Sequence, residues 1–459
     1  MKRPAANLRF AFSPKSVCIV GASHHPEKIG HAILRNFLQG GFAGAIYPVN
    51  PQGGEILKTR CYRSIADVPS SFECAIIAIP AEAAVASLEE CAKKGARAAV
   101  VISGGFSEVG NKRLEEKLVQ IAKKHSIALI GPNCMGLLCT STQVDSVFLP
   151  TYKLGRPKKG EIAFISQSGA VGGCILDLAS RYGVGISKFV SFGNASVIDE
   201  SDLLQYLADD EETKTIVMYL EGVKDGKKFL RTASQITPHK PIIAIKAGVS
   251  AAGNAAVASH TGSLAGSAAA YFAAFAQSGI IRAHTLEDLF DIPKIFSLPR
   301  TRGKRIAVLT NGGGNGVLAA DAIEERNLKL AQFSPNTISA LKSFLPTYAN
   351  AKNPLDIIGD ADAQRYEKSL QLLIADKNID AILVILLFQT PALDSSVTEI
   401  IAQAAQFSKK PIVCVSTGGE YTEAQRRQLD SMGVPTYSSP SSAMRALSKF
   451  IAYCENVCP

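Results

Sequence analysis

A histidine among small residues is well suited to accept a phosphoryl group. His260 stands in NAAVASHTGSLAGSAAA (254–270), flanked by Ser259, Thr261, Gly262 and Ser263, and is accessible there to a large anionic group. Neutral imidazole has one nitrogen free to attack, provided that a carboxylate holds the other ring N–H and fixes the tautomer. Glu221, in YLEG (219–222) at the end of an apolar run, is the candidate carboxylate. A plain loop histidine is the competing reading, and the sequence alone does not bring Glu221 and His260 together.

Glycine turns supply the complementary chemistry. In SVCIVGASHHPEKIG (16–30), Gly21 directly follows an apolar run, and a helix is expected near Gly30 and His31. Helix-start amides can face a phosphate there, with Ser23 and Lys28 to assist. The full Gly-x-Gly-x-x-Gly dinucleotide signature is missing, so an ordinary strand-to-helix turn stays open. VNP (49–51), IAIPAE (77–82), ISGGFSE (102–108) and GPNCMG (131–136) close further strands of the same unit. Turns of this kind from one parallel sheet converge on one crevice. Cys134 has nothing nearby in sequence to activate it as a nucleophile. ISQSGAVGG (165–173) and VLTNGGGNGVLAADA (308–322) repeat the strand, turn, helix design further along. Each offers unpaired amides and a partial positive charge to an anion.

Short apolar runs must position these turns. Strands are expected at 16–20, 45–49, 74–79, 98–102 and 128–130, alternating with helix-like stretches such as 31–38, 83–94 and 111–125. The pattern resets after 151–160, with strands at 161–166, 186–190, 215–219 and 241–246, and again after 298–304, with strands at 305–310, 381–388 and 411–416. Continuous apolar strands alternating with helices predict parallel sheets covered on both faces. The expectation is therefore α/β, with three consecutive domains at 1–150, 151–299 and 300–459, consistent with 459 residues at roughly 150 per domain.

Composition narrows the classes. The 49 Lys and Arg against 40 Asp and Glu leave +9, spread along the chain, which suits small anionic ligands but no nucleic-acid surface. Ten scattered Cys read as buried free thiols of a reducing compartment, and no apolar stretch reaches a membrane span. A cytoplasmic chain with no metal site of its own and no membrane partner is expected.

The motifs GAS, VNP, ISGGFSE, GPNCMG, ISQSGAV, YLEG, SHTGSLAG and TNGGGNG, in this order, resemble the α subunit of the ADP-forming acetyl-CoA synthetases, in the succinyl-CoA synthetase superfamily. The resemblance runs from about residue 12 to 450; SHTGSLAG and GPNCMG carry it most specifically. It implies a Rossmann-like CoA-binding domain followed by two flavodoxin-like domains of the succinyl-CoA synthetase type. Gly21, Ala22, Ser23, Lys28, Val49, Asn50, Pro51, Ile79 and Pro80 would then serve the CoA crevice. Ser103, Gly104, Asn133 and Cys134 would lie toward the thiol end. His260 matches the phosphorylated histidine and Glu221 the glutamate that orients it. Ser168, Gly169 and Ala170 match one phosphate-holding helix start, and Gly313, Gly314 and Asn315 the opposing one. The implied reaction interconverts acyl-CoA (acetyl by family default), ADP and phosphate with carboxylate, CoA and ATP, through an acyl phosphate and a phosphohistidine. No ATP-grasp module is recognisable, so the resemblance implies a β partner that binds ADP or ATP with Mg2+, in an α2β2 assembly. A CoA-responsive regulatory or scaffold protein without turnover is the alternative, and a dinucleotide oxidoreductase is a weaker one.

Overall fold

The computed structural model describes residues 4–261 and 267–457, without the side chains of 258–261. The chain divides into two compact units, Met1–His284 and Thr285–Pro459.

The first unit holds two large sheets. In the first, β1 (Ser16–Val20), β2 (Ala45–Val49), β5 (Cys74–Ile77), β6 (Ala98–Val101) and β7 (Ala128–Ile130) lie in the order β2-β1-β5-β6-β7, all parallel. A short hairpin of β3 (Gly54–Ile56) and β4 (Thr59–Cys61) follows β2. The second sheet contains β8 (Gly136–Cys139), β9 (Val144–Asp145), β10 (Lys159–Ser166), β11 (Ile186–Ser191), β12 (Thr215–Leu220), β13 (Ile242–Lys246) and β14 (Ile281–Arg282). Its parallel members run β14-β13-β12-β10-β11, the same winding as the first sheet, and β8 and β9 extend it antiparallel beyond β11. These two strands lie within the range 1–150 yet belong to the second sheet, where Gly136–Cys139 pair with Lys188–Ser191.

The second unit repeats the winding. β15 (Arg305–Thr310), β16 (Lys329–Leu330), β17 (Leu355–Asp356), β18 (Ala381–Ile385), β19 (Ile412–Val415) and β20 (Thr436–Tyr437) form the path β16-β15-β18-β19-β20, with β17 on the end of β15. The α/β class and the parallel sheets agree with the expectation from the apolar runs. The short strands β14, β16, β17 and β20 were not among the expected ones, since two-residue elements leave no periodic signal.

Burial follows the winding. One face of the first sheet packs Val20, Phe72, Leu88 and Leu118 under its own helices. The other face shares a core with the second sheet, in which Phe12, Phe37, Leu137, Phe192 and Leu204 take part. Phe12 stacks on Tyr206 at 4.8 Å and 11°. The buried Asn36 amide donates to the carbonyls of Val147 at 2.6 Å and Leu149 at 3.1 Å, tying the helix Ile29–Gln39 to the segment after β9. The two sheets of this unit are thus held by a common core.

The chain around His260, for which a loop was one reading, is helical over Ala251–Thr261. Alanine supplies five of those eleven residues, and it is the strongest helix former. Among the described residues, no helix is long and apolar enough to cross a membrane.

Close backbone approach explains one glycine pair. A Cβ on Gly30 would sit 1.8 Å from the Gly21 carbonyl oxygen, so the helix Ile29–Gln39 rests directly on the turn after β1. Gly30→Ala should therefore destabilise by roughly 1–3 kcal/mol through overpacking. Gly226→Ala, where a Cβ meets nothing within 4 Å, should stay within about 0.5 kcal/mol. Urea midpoints followed by far-UV circular dichroism check the pair, and equal midpoints would contradict the packing.

Candidate functional site

The connection leaving β1 runs to β2 and the one leaving β5 runs the opposite way to β6, which opens a crevice between the ends of β1 and β5. The Gly21 N–H donates to Val49 O at 3.0 Å and the Asn50 side-chain amide to Ala22 O at 2.7 Å, so the GAS and VNP turns are one structure. Ser23 Oγ accepts from His25 N at 3.1 Å, and the His31 ring meets the Ser23 carbonyl at 2.8 Å. Gly21 and Ser23 are half-buried, Ala22 is buried, and Lys28 and Pro51 are exposed at the rim. Gly21, at φ +93°, has no room for a side chain, since a Cβ would lie 2.5 Å from Ala78 O.

Beyond Ala78 the crevice widens into a cavity of about 1070 Å³. It joins Ile79 and Pro80 after β5, Ser103 and Gly104 after β6, Asn133 and Cys134 after β7, and Ser168, Gly169, Ala170 and Glu221 of the second sheet. Ten of the expected site residues thus meet at one cavity. Gly21, Ala22, Ser23, Lys28, Val49, Asn50 and Pro51 are not part of its wall; they form the turn beside it.

The second sheet reaches the cavity through its own divergence point, between β10 and β12. Ser168 caps the helix Gly169–Tyr182 by accepting from Val171 N at 3.4 Å. The first N–H groups of that helix lack intrahelical acceptors and favour an anion. Gln167 closes the gap between the two strands: its N–H donates to Tyr219 O at 3.1 Å, and its Oε1 accepts from Glu221 N at 2.7 Å and Gly222 N at 2.9 Å. Glu221 is buried at the cavity, 6% exposed. Near it, burial pulls the Lys246 ammonium below its ordinary pKa while the charge of Glu221 works to raise it, and the ammonium lies 4.7 Å from the Tyr271 ring centroid. His260 lies in the last turn of Ala251–Thr261, but its side chain is outside the described residues, and so is any contact with Glu221.

Cys134 is a wall, not a nucleophile. Its thiol is pushed up to about 12 by burial, and Sγ donates to Val101 O at 3.2 Å. A charged girdle lies opposite. Glu108 accepts from the N–H groups of Gly105 and Phe106 and from the Asn194 amide at 2.6 Å. Burial opposes its ionisation, but these donors outweigh burial and hold the carboxyl below its ordinary range. Lys224 Nζ reaches the carbonyls of Asn194 at 2.7 Å and Ala195 at 3.0 Å. Gln167, Asn194, Lys224 and Lys246 escaped the sequence reading. Gln167 stood inside ISQSGAV and Lys246 closes a buried apolar run, so both had a signal. Asn194 and Lys224 had none.

In the second unit, Gly313, Gly314 and Asn315 open the helix Gly313–Glu325 after β15. Asn311 bridges β15 and β18 as Gln167 bridges β10 and β12: its Oδ1 accepts from Leu387 N at 2.9 Å, and its amide donates to Thr390 Oγ1 at 3.2 Å.

Comparison with known proteins gives this architecture a family. Residues 15–140 match the family described as CoA binding domain, 159–296 the succinyl-CoA ligase like flavodoxin domain, and 306–447 the ligase-CoA domain. The chain is 39% identical over 457 residues to the α subunit of acetate–CoA ligase (ADP-forming) II of Pyrococcus furiosus, covering 98% of each. It is 44% identical over 439 residues to acetate–CoA ligase (ADP-forming) I of Archaeoglobus fulgidus, which covers 95% of this chain, while this chain spans 62% of that protein. A solved structure of the dinucleotide forming acetyl-coenzyme A synthetase 1 of Ca. Korarchaeum cryptofilum, in complex with phosphate and ADP, has a TM-score of 0.90 at 38% identity over 98% of each chain. Three domains of matching kind and order, and 39% identity over 98% of an α subunit, place the chain in the ADP-forming acetate–CoA ligase family.

Proposed function

We propose that the chain is the α subunit of an NDP-forming acyl-CoA synthetase, interconverting acyl-CoA, ADP and phosphate with carboxylate, CoA and ATP. The observation that carries this reading is the single cavity that joins the strand ends of the first sheet to a helix start and a buried glutamate of the second. A thioester held in the crevice beside Gly21 can then meet an anion held at 168–170.

CoA fits the residues present. The Gly21 turn is a cradle that a Cβ would fill, and it leads into the helix Ile29–Gln39. Helix starts of this kind suit phosphates. The crevice continues past Pro80 and Gly104 toward Asn133 and Cys134. In the reaction, a phosphate oxygen attacks the thioester carbonyl, the C–S bond breaks, and the thiolate leaves and takes up a proton. The product is an acyl phosphate. A ring nitrogen of His260 then attacks phosphorus, the acyl C–O–P bridge breaks at phosphorus, and the carboxylate departs. A β-phosphate oxygen of ADP finally takes the phosphoryl group. Amides of Gly169 and Ala170, and of Gly313 and Gly314, are suited to a transferring trianion because they need no reorganisation. Glu221 holds the imidazole N–H and stabilises the charge that forms on the ring.

The reading carries working domain bounds of 1–150, 151–299 and 300–459. It also carries an ATP-grasp β partner that supplies the magnesium nucleotide, an α2β2 assembly and a cytoplasmic setting. The α-subunit designation of the Pyrococcus furiosus relative supports a partner.

Purified chain alone should bind CoA by calorimetry yet form no ATP from acyl-CoA, ADP and phosphate; added β subunit should restore ATP formation. Robust synthesis by the pure chain would overturn the division of labour. With the β partner, ATP labelled at the γ-phosphate should label this chain in an acid-labile, base-stable form. His260→Ala should abolish label and turnover, and Glu221→Gln should slow phosphorylation by about 10²-fold or more. Label that maps to His239 or His284 instead would refute the assignment.

A further inference from the structure

The helix Gly169–Tyr182 contains a glycine that packing does not explain. Gly172 is required, because a Cβ there would lie 2.7 Å from Phe189 Cζ. Its neighbour Gly173 is also buried, but a Cβ there would make only ordinary contacts, at 3.5 Å from Leu149 Cδ1, Leu154 Cδ1 and Met135 Sδ. A glycine inside a helix is less favourable than alanine, so a position that tolerates alanine and still carries glycine needs another reason. Gly173 lines the cavity, together with Met135 and Leu149, one turn along the helix from the anion-holding start.

We propose that Gly173 sets the length of the acyl group: the missing side chain, with Met135 and Leu149, leaves a subsite for the hydrocarbon part of the acyl thioester. This rests on the acyl-CoA reading above. The bond that changes must lie where the crevice of the first sheet meets the anion site of the second, and Met135 stands at that junction. A Cβ on Gly169 would lie 3.4 Å from Met135 Cβ, so the helix start and this wall are in contact. The acyl carbon chain, leaving the reacting carbonyl on the side away from the phosphate, then runs along Met135 toward Gly173 and Leu149. The three atoms nearest a Cβ at Gly173 are two methyl carbons and a thioether sulfur. An uncharged chain is accommodated there, whereas a second carboxylate would lose its hydration against these apolar atoms.

Calorimetry on the full chain with CoA, acetyl-CoA, isovaleryl-CoA and succinyl-CoA tests the subsite. Isovaleryl-CoA should bind about tenfold or more tightly than acetyl-CoA, at roughly fourfold per buried methylene, and succinyl-CoA more weakly than either. Gly173→Ala should keep CoA affinity and melt no lower than the parent, yet lose about fourfold or more for isovaleryl-CoA while sparing acetyl-CoA. Leu149→Ala, which widens the same wall, should change the isovaleryl-to-acetyl ratio and leave CoA affinity alone. If CoA binds but the acyl preference is the same in parent and both variants, or succinyl-CoA binds best, the subsite is overturned and the acyl-CoA reading survives. If CoA itself does not bind, that reading falls and the subsite with it.

Discussion

The site depends on what happens where a parallel sheet changes its direction of winding. In each large sheet the first long parallel strand takes its next neighbour on one side and the later long parallel strands on the other. The two connections that leave the central strands part company, and the space between them cannot be filled by the backbone. That leaves a crevice and strips partners from the last backbone groups of both strands. In the second sheet Gln167 replaces those partners and in the second unit Asn311 does so. A side-chain amide suits this task because it donates and accepts in one plane. It holds the gap open at a fixed width, and the carboxylate of Glu221 is placed by the same bond.

In the first sheet the constraint is met by bare backbone. Gly21 packs against Ala78 and carries the helix behind it through Gly30, so no side chain intrudes on that turn. The common core that includes Phe12 and Phe192 then fixes the first crevice against the second. A cavity lined from two sheets needs this, because slippage between the sheets would move one wall against the other.

Charge around the cavity is arranged with few free ends. Glu108 is held below its ordinary range by an amide and two backbone N–H groups, Lys224 Nζ donates to two carbonyls, and Lys246 sits among Glu221 and an aromatic ring.

Much of this was legible in the residues themselves. Continuous apolar runs that end in Gly, Ser or Pro need burial on both faces, and that alone dictates parallel sheets with turns clustered at one end; the GAS, VNP and ISQSGAV turns follow from it. Alanine-rich 251–261 reads as easily as loop or helix, and only local hydrogen bonding made it a helix. Gly136–Asp145 belongs to the second sheet because of pairing partners fifty residues away, which no local pattern encodes. Asn194 and Lys224 work at the cavity through contacts with distant turns, and Gly173 matters only because of the side chains opposite it. Sequence by itself placed the long strands and the glycine turns that follow them, since propensity, period and glycine geometry are local. Which turns share a cavity was decided by the tertiary structure, since that depends on how two sheets pack around one core.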